Sequence, residues 1–140
     1  MVKTVNLHEV IRGESAPPAC DTSLGVEVKE AKDGFAKGVW TVGSHLLNGN
    51  GVIMGGFVTA AADIMMAYAI SSLLTEEQTF ASINLQTTFH RPTFIGEVEV
   101  EAQVGKFGRT VSYVTAELKQ NGKTVASVTS SMMVTKKQGQ

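Results

Sequence analysis

Two neighbouring features of the sequence carry groups suited to chemistry. A polar, glycine-rich loop reads Asn48-x-x-Gly51-x-x-Met54-Gly55-Gly56. One carboxylate, Asp63, follows seven residues after Gly56 inside a long apolar run that ends at Leu74. If the run is a helix beginning near Gly55, the first N–H groups have no partner within it, and the helix dipole makes that end favour negative charge. Glycines there let a ligand approach the backbone closely. A carboxylate on an apolar helix face is desolvated, which raises its basicity and suits it to activate water near neutral pH. Together these are the two halves of a hydrolytic site: donors for a developing oxyanion and a base for the attacking water.

Each residue also has a plainer reading. Asp63 alone could be a buried structural carboxylate held by backbone or hydroxyl groups. Gly55-Gly56 alone could serve helix entry or close packing, and Asn48 alone could be a turn residue. The Asn48–Gly56 spacing beside Asp63 favours the catalytic reading, and helix geometry adds a constraint. Eight residues of helix separate Gly55 from Asp63, a rise of roughly 12 Å. One carbonyl cannot lie within hydrogen-bond reach of both, so if both act on one substrate they come from different chains.

The elements that must position these groups can be read from pattern. Residues 4–12 could form a short helix. The stretch "GESAPPACDTS" follows, and its Pro17-Pro18 pair argues against regular structure there. "GVEVKEAK" and "FAKGVWTV" read as strands joined by Asp33-Gly34, a tight-turn pair. A loop over 44–54 precedes a helix from about Gly55 to Leu74, rich in Ala, Met and Leu. "ASINLQTTFH" predicts a strand with Ile83, Leu85, Thr87 and Phe89 on one face. "GEVEVEAQVGKF" alternates Val98, Val100, Ala102 and Val104 with Glu97, Glu99, Glu101 and Gln103, a strand with one wet face. "RTVSYVTAELKQ" and "KTVASVTSSMMVTKK" flank Asn121-Gly122, a strong hairpin signal.

Helix and strands are therefore segregated: two strands, one long helix, then four segments of β meander. That order predicts an α+β fold in which a mainly antiparallel sheet wraps around the central helix. A helix apolar nearly all round should be buried nearly all round, and open sheet edges invite a second copy. Met65, Met66, Met132 and Met133 are expected in the core or in the wall of a pocket.

Composition narrows the function classes. The 140 residues fit one domain, 43% apolar and 18% charged, with net charge −1. That charge gives no footprint for nucleic acid or an anionic membrane. Cys20 is the only cysteine, so no intrachain disulfide forms, and no Cys/His spacing suggests a metal; cytosolic residence is the default expectation. The first residues lack the unbroken apolar stretch of a signal peptide. Asp63, Thr59, Ser71 and Ser72 interrupt the long apolar run, which argues against a membrane span.

Over roughly residues 25–136 the chain resembles the hotdog-fold thioesterases of the 4-hydroxybenzoyl-CoA thioesterase superfamily, closest to the phenylacetate-degradation-type branch. The likeness rests on the loop-to-Asp63 spacing, the element order, "HRPTFIGE" and "GKFGRT". It implies a single hotdog domain over 1–140, with 1–24 as an N-terminal helix and loop extension. The implied activity is acyl-CoA hydrolysis to a carboxylate and free thiol. No metal or separate cofactor is implied, coenzyme A being part of the substrate. By the same resemblance Asp63 is general base or nucleophile. Gly55, with Gly56, presents N–H to the thioester carbonyl, Asn48 positions water or thioester, and Ser82 assists the carboxylate. Arg91, Lys106 and Arg109 could meet the coenzyme A phosphates. The assembly implied is at least a homodimer, with a homotetramer expected. One position departs: Met54 stands where the family usually has His, which removes a polar contact at the loop. That departure leaves two alternatives, a non-catalytic acyl-CoA or ligand-binding hotdog protein, and a hydroxyacyl-thioester dehydratase. The second ranks lower, because it needs a His where Met54 stands.

Overall fold

The computed structural model describes residues 4–138. Two tight turns set the sheet in motion. Asp33 and Gly34 have φ of 53° and 81°, and Asn121 and Gly122 have 53° and 77°. Paired positive φ angles match the right-handed twist of the strands they join. The first turn links β1 (Val26–Lys32) to β2 (Phe35–Val42), and the second links β6 (Val111–Gln120) to β7 (Lys123–Lys136). With β5 (Gly96–Lys106), β3 (Gln78–Ser82) and β4 (Gln86–Phe89), they form one antiparallel sheet ordered β1-β2-β5-β6-β7-β3, with β4 also on β7.

The sheet curls around α3 (Gly55–Ser71). The inward side chains of alternate strand positions, among them Trp40, Val98, Val100, Val114, Leu118, Val128 and Met132, are buried with Val58, Ala62, Met65, Met66 and Ile70 of the helix. Full burial of each large apolar side chain contributes about 1.5–3 kcal/mol. Helix and sheet approach closely at Gly38, where an added Cβ would fall 2.6 Å from Met65 Cε. This is the α+β hotdog arrangement expected from the sequence. No helix among the described residues is long and apolar enough to cross a membrane.

Several local expectations are corrected. The stretch after Pro17-Pro18 is not irregular: α2 (Ala19–Leu24) starts from Pro18 and ends at Gly25, which is left-handed at φ 90°. Prolines here precede the helix and so cost it no hydrogen bond. α1 is shorter than 4–12, spanning Leu7–Ile11 with Asn6 as its cap. The segment 81–90 is not one strand. It breaks between Ser82 and Gln86, where Asn84 takes over: its O accepts from Ser130 Oγ at 2.8 Å and its Oδ1 from Ser131 N at 2.9 Å. Nor do the last strands form a simple meander. After β4 the chain crosses the sheet so that β5 pairs with β2. Met65, Met66 and Met132 are core as expected, but Met133 points outward, 45% exposed.

The helix is also less enclosed than its composition predicts. Gly56 is exposed, and Thr59, Ala60, Asp63, Ile64 and Ala67 are only partly buried. At i, i+3, i+4, i+7 spacing these fall on one stripe. A single chain leaves that stripe open.

Candidate active site

The loop that enters α3 is strapped at three points. Met54 N donates to Leu46 O (3.0 Å), Asn48 N to Val52 O (2.7 Å), and Ile53 N to Thr93 O (3.0 Å). Asn48 Oδ1 accepts from Asn50 N (2.8 Å) and Val52 N (3.3 Å). The turn role of Asn48 is therefore real, and only its amide nitrogen is left to meet a ligand. Met54 caps the helix without a side-chain hydrogen bond. Phe57 N and Val58 N both donate to Met54 O, whereas Gly55 N and Gly56 N have no partner among the described residues. Two N–H donors at the positive end of a 17-residue helix are thus left free.

Beside them lies a groove of about 380 Å³, lined by Asn48, Gly55, Phe89, His90, Arg91 and Thr93 among others. The 89–93 segment forms its far wall. His90 N and Arg91 N both donate to Val125 O, and His90 Nε2 lies 3.0 Å from Ser127 Oγ. Gln120, 8% exposed, clamps Phe94 from both sides: its Oε1 accepts from Phe94 N (3.0 Å) and its Nε2 donates to Phe94 O (2.8 Å). Sequence reading did not single out Phe89, His90 or Gln120 as site residues. The one available signal was that Phe89 and His90 adjoin Arg91-Pro92.

Asp63 does not line this groove. It lies two turns further along α3, on the open stripe, with no hydrogen bond or ion pair among the described residues. Burial pushes its carboxyl above the ordinary value of 3.8. The chain therefore brings Asn48, Gly55 and Arg91 to one groove and holds Asp63 apart from them. Gly56 adjoins the groove at the open face, with the Met54 methyl 3.1 Å from where a Cβ would sit. Ser82 ends β3 opposite Met132, exposed, and makes no hydrogen bond to Asp63. Lys106 and Arg109 are at the β5–β6 turn. Lys106 pairs with Tyr113, while Arg91 is level with Val125, beside the far end of β6. About six residues of strand, roughly 20 Å, separate these levels. One chain does not gather the three cations.

A different buried pair anchors the N-terminal extension. Tyr68 of α3 donates its hydroxyl to Asp21 Oδ2, and Asp21 is 2% exposed. Burial, and then the hydrogen bond to Asp21, push the Tyr68 phenol upward. Nothing in the sequence pattern pointed to Asp21.

Residues 50–127 match the family model described as the thioesterase superfamily. The acyl-coenzyme A thioesterase PaaI of Escherichia coli (strain K12) is 34% identical over 112 residues, 77% of this chain and 76% of that protein. Among solved structures, a phenylacetic acid degradation-related protein from Ralstonia eutropha JMP134 superposes with TM-score 0.86 at 30% identity, covering 92% of this chain and 99% of the other. The E. coli PaaI protein from the phenylacetic acid degradation operon gives TM-score 0.80 at 28% identity, covering 96% and 92%.

Proposed function

This chain belongs to the thioesterase superfamily, and we propose that it hydrolyses the thioester of an acyl-coenzyme A to a carboxylate and a free thiol. The observation that carries the reading is Asp63: a half-buried carboxylate with no partner among the described residues, on the open stripe of a largely buried helix. A desolvated carboxylate is a stronger base for water, or a nucleophile at the carbonyl. The free N–H groups of Gly55 and Gly56 supply the complementary half, donors where the tetrahedral intermediate gathers negative charge.

The rise between Gly55 and Asp63, about 12 Å, requires two chains for one site. The working unit is therefore at least a homodimer, with a tetramer as the larger assembly, each copy being one domain with residues 1–24 as an extension. Asp63 of one copy faces the groove of Asn48, Gly55 and Gly56 on the next. Asn48 offers its amide N–H groups to the thioester or the water, and Ser82 supports the carboxylate across the same interface. Arg91, at the groove, meets a coenzyme A phosphate; Lys106 and Arg109 join it only if another chain carries them there. The reaction needs no metal and no cofactor beyond the coenzyme A of the substrate, and its setting is the cytosol.

A second reading, acyl-CoA binding without turnover, is favoured by Met54. Its thioether methyl lies over Gly56 and offers no proton where a His would. Free-thiol release from a panel of aryl, short-chain and long-chain acyl-CoAs separates the two. Hydrolysis that is lost in Asp63→Asn supports the enzyme, and binding without thiol release supports the second reading.

A further inference from the structure

Phe89 stands beside Gly55, at the donor end of α3. A Cβ built on Gly55 would lie 2.8 Å from Phe89 Cζ and 3.2 Å from Cε1, so the tip of the ring rests against the glycine's Cα. The ring is 53% exposed and forms part of the groove that holds Asn48 and Gly55. Its backbone is not free to drift. Phe89 pairs with Ala126 in the β4–β7 ladder, and the next two N–H groups both donate to Val125 O. Two residues earlier, Thr87 Oγ1 is 2.7 Å from Thr59 Oγ1. Gly55 to Thr59 is four helical residues, about 6 Å, and Phe89 to Thr87 is two strand residues, between about 6 and 7 Å. Helix and strand step together across both contacts, and the ring is held at the level of the Gly55 N–H.

Resting on the thioesterase reading above, we propose that Phe89 is a specificity-determining residue that limits the width of the site at the carbonyl. It favours acyl thioesters whose carbon next to the carbonyl is unbranched. Any coenzyme A thioester begins with a CH₂ on the sulfur side, so what varies beside the carbonyl comes from the acyl side. Pocket depth draws on side chains of two subunits, but the wall that Phe89 forms against Gly55 is made within one chain. A methyl branch adds a carbon where the ring leaves least room, and one carbon in a close-fitting pocket changes kcat/KM by about tenfold or more.

The test compares isomeric acyl-CoAs that differ only in branching: butyryl with isobutyryl, and phenylacetyl plus one CH₂ (3-phenylpropionyl) with 2-phenylpropionyl. Wild type should prefer the unbranched partner by about tenfold or more, with the ratio falling stepwise towards one in Phe89→Leu and Phe89→Ala. Phe89→Leu keeps an apolar side chain and carries the test if the alanine variant does not fold. A wild type without preference, or a preference unchanged in the folded variants, overturns the proposal. If wild type hydrolyses no thioester in the panel, the thioesterase reading fails separately. Calorimetric Kd ratios for the same pairs then decide: tighter unbranched binding that is lost in Phe89→Leu supports the role of Phe89, and equal ratios overturn it.

Discussion

Asp63, the proposed base, shows how environment rather than identity sets the basicity of a carboxylate. It is the only charged side chain of α3, it has no partner among the described residues, and burial alone raises its pKa above 3.8. Asp63→Asn keeps the size and polarity while removing the base, so turnover of the best acyl-CoA should fall by about 10²-fold or more. Steady-state kinetics on protein with an unchanged circular dichroism spectrum checks this. The raised pKa has a second consequence. A carboxyl that holds its proton more tightly when folded destabilises the fold in its charged form. Wild type should lose stability as pH rises from 3.8 through the raised value, and Asp63→Asn should not. The Asn variant is thus expected to be the more stable protein near neutral pH, with the gap closing in acid. Denaturant midpoints of both proteins across pH measure it. Over the same window kcat/KM of wild type should fall as pH drops, because the base must be charged to act.

At the scale of elements, the groove depends on how loop, helix and edge strand are tied together. Gln120 at the end of β6 holds both main-chain groups of Phe94, and the preceding residue, Thr93, accepts from Ile53 N, two residues before Gly55. Gln120→Ala leaves both main-chain groups of Phe94 without their partner and should cost about 1–3 kcal/mol. Chemical denaturation against wild type gives that figure directly. The loss should be accompanied by a higher KM, since Phe94 anchors the 89–93 wall of the groove, which slackens. These ties show where sequence reading stops. The helix, the Asp-Gly and Asn-Gly turns and the alternating strands were legible because each depends on local pattern. The clamp by Gln120 was not, because it joins residues 26 positions apart through one side chain. The break at Asn84 was hidden for a related reason. Alternation in 81–90 fits a continuous strand, and only β7 and its Ser130-Ser131 pair show that a side chain has replaced the ladder. Asn48, Gly55, Gly56 and Asp63 stood out in the sequence through spacing, and the groove gathers Asn48 and Gly55 but not Asp63. That the groove gathers Phe89, His90 and Arg91 but not Lys106 and Arg109 follows from sheet order, which the linear pattern did not fix.

At the scale of the whole molecule, the central claim is that no single chain holds a complete site. Donors at the start of α3 and the carboxylate on its open stripe are on one rigid element, so bending within a chain cannot bring them together. Gly55→Val should be inactive alone because its side chain must displace the Phe89 ring beside the donors, and Asp63→Ala should be inactive because it lacks the base. The decisive measurement mixes the two folded variants in equal amounts, allows the subunits to exchange, and assays thioester hydrolysis. Random exchange makes about half of the dimers mixed, and each mixed dimer has one doubly defective site and one intact site. About a quarter of wild-type activity should therefore return, given a site shared between chains in this way. Activity that stays at background after mass spectrometry has confirmed exchange would contradict the shared site and place donors and base within one chain.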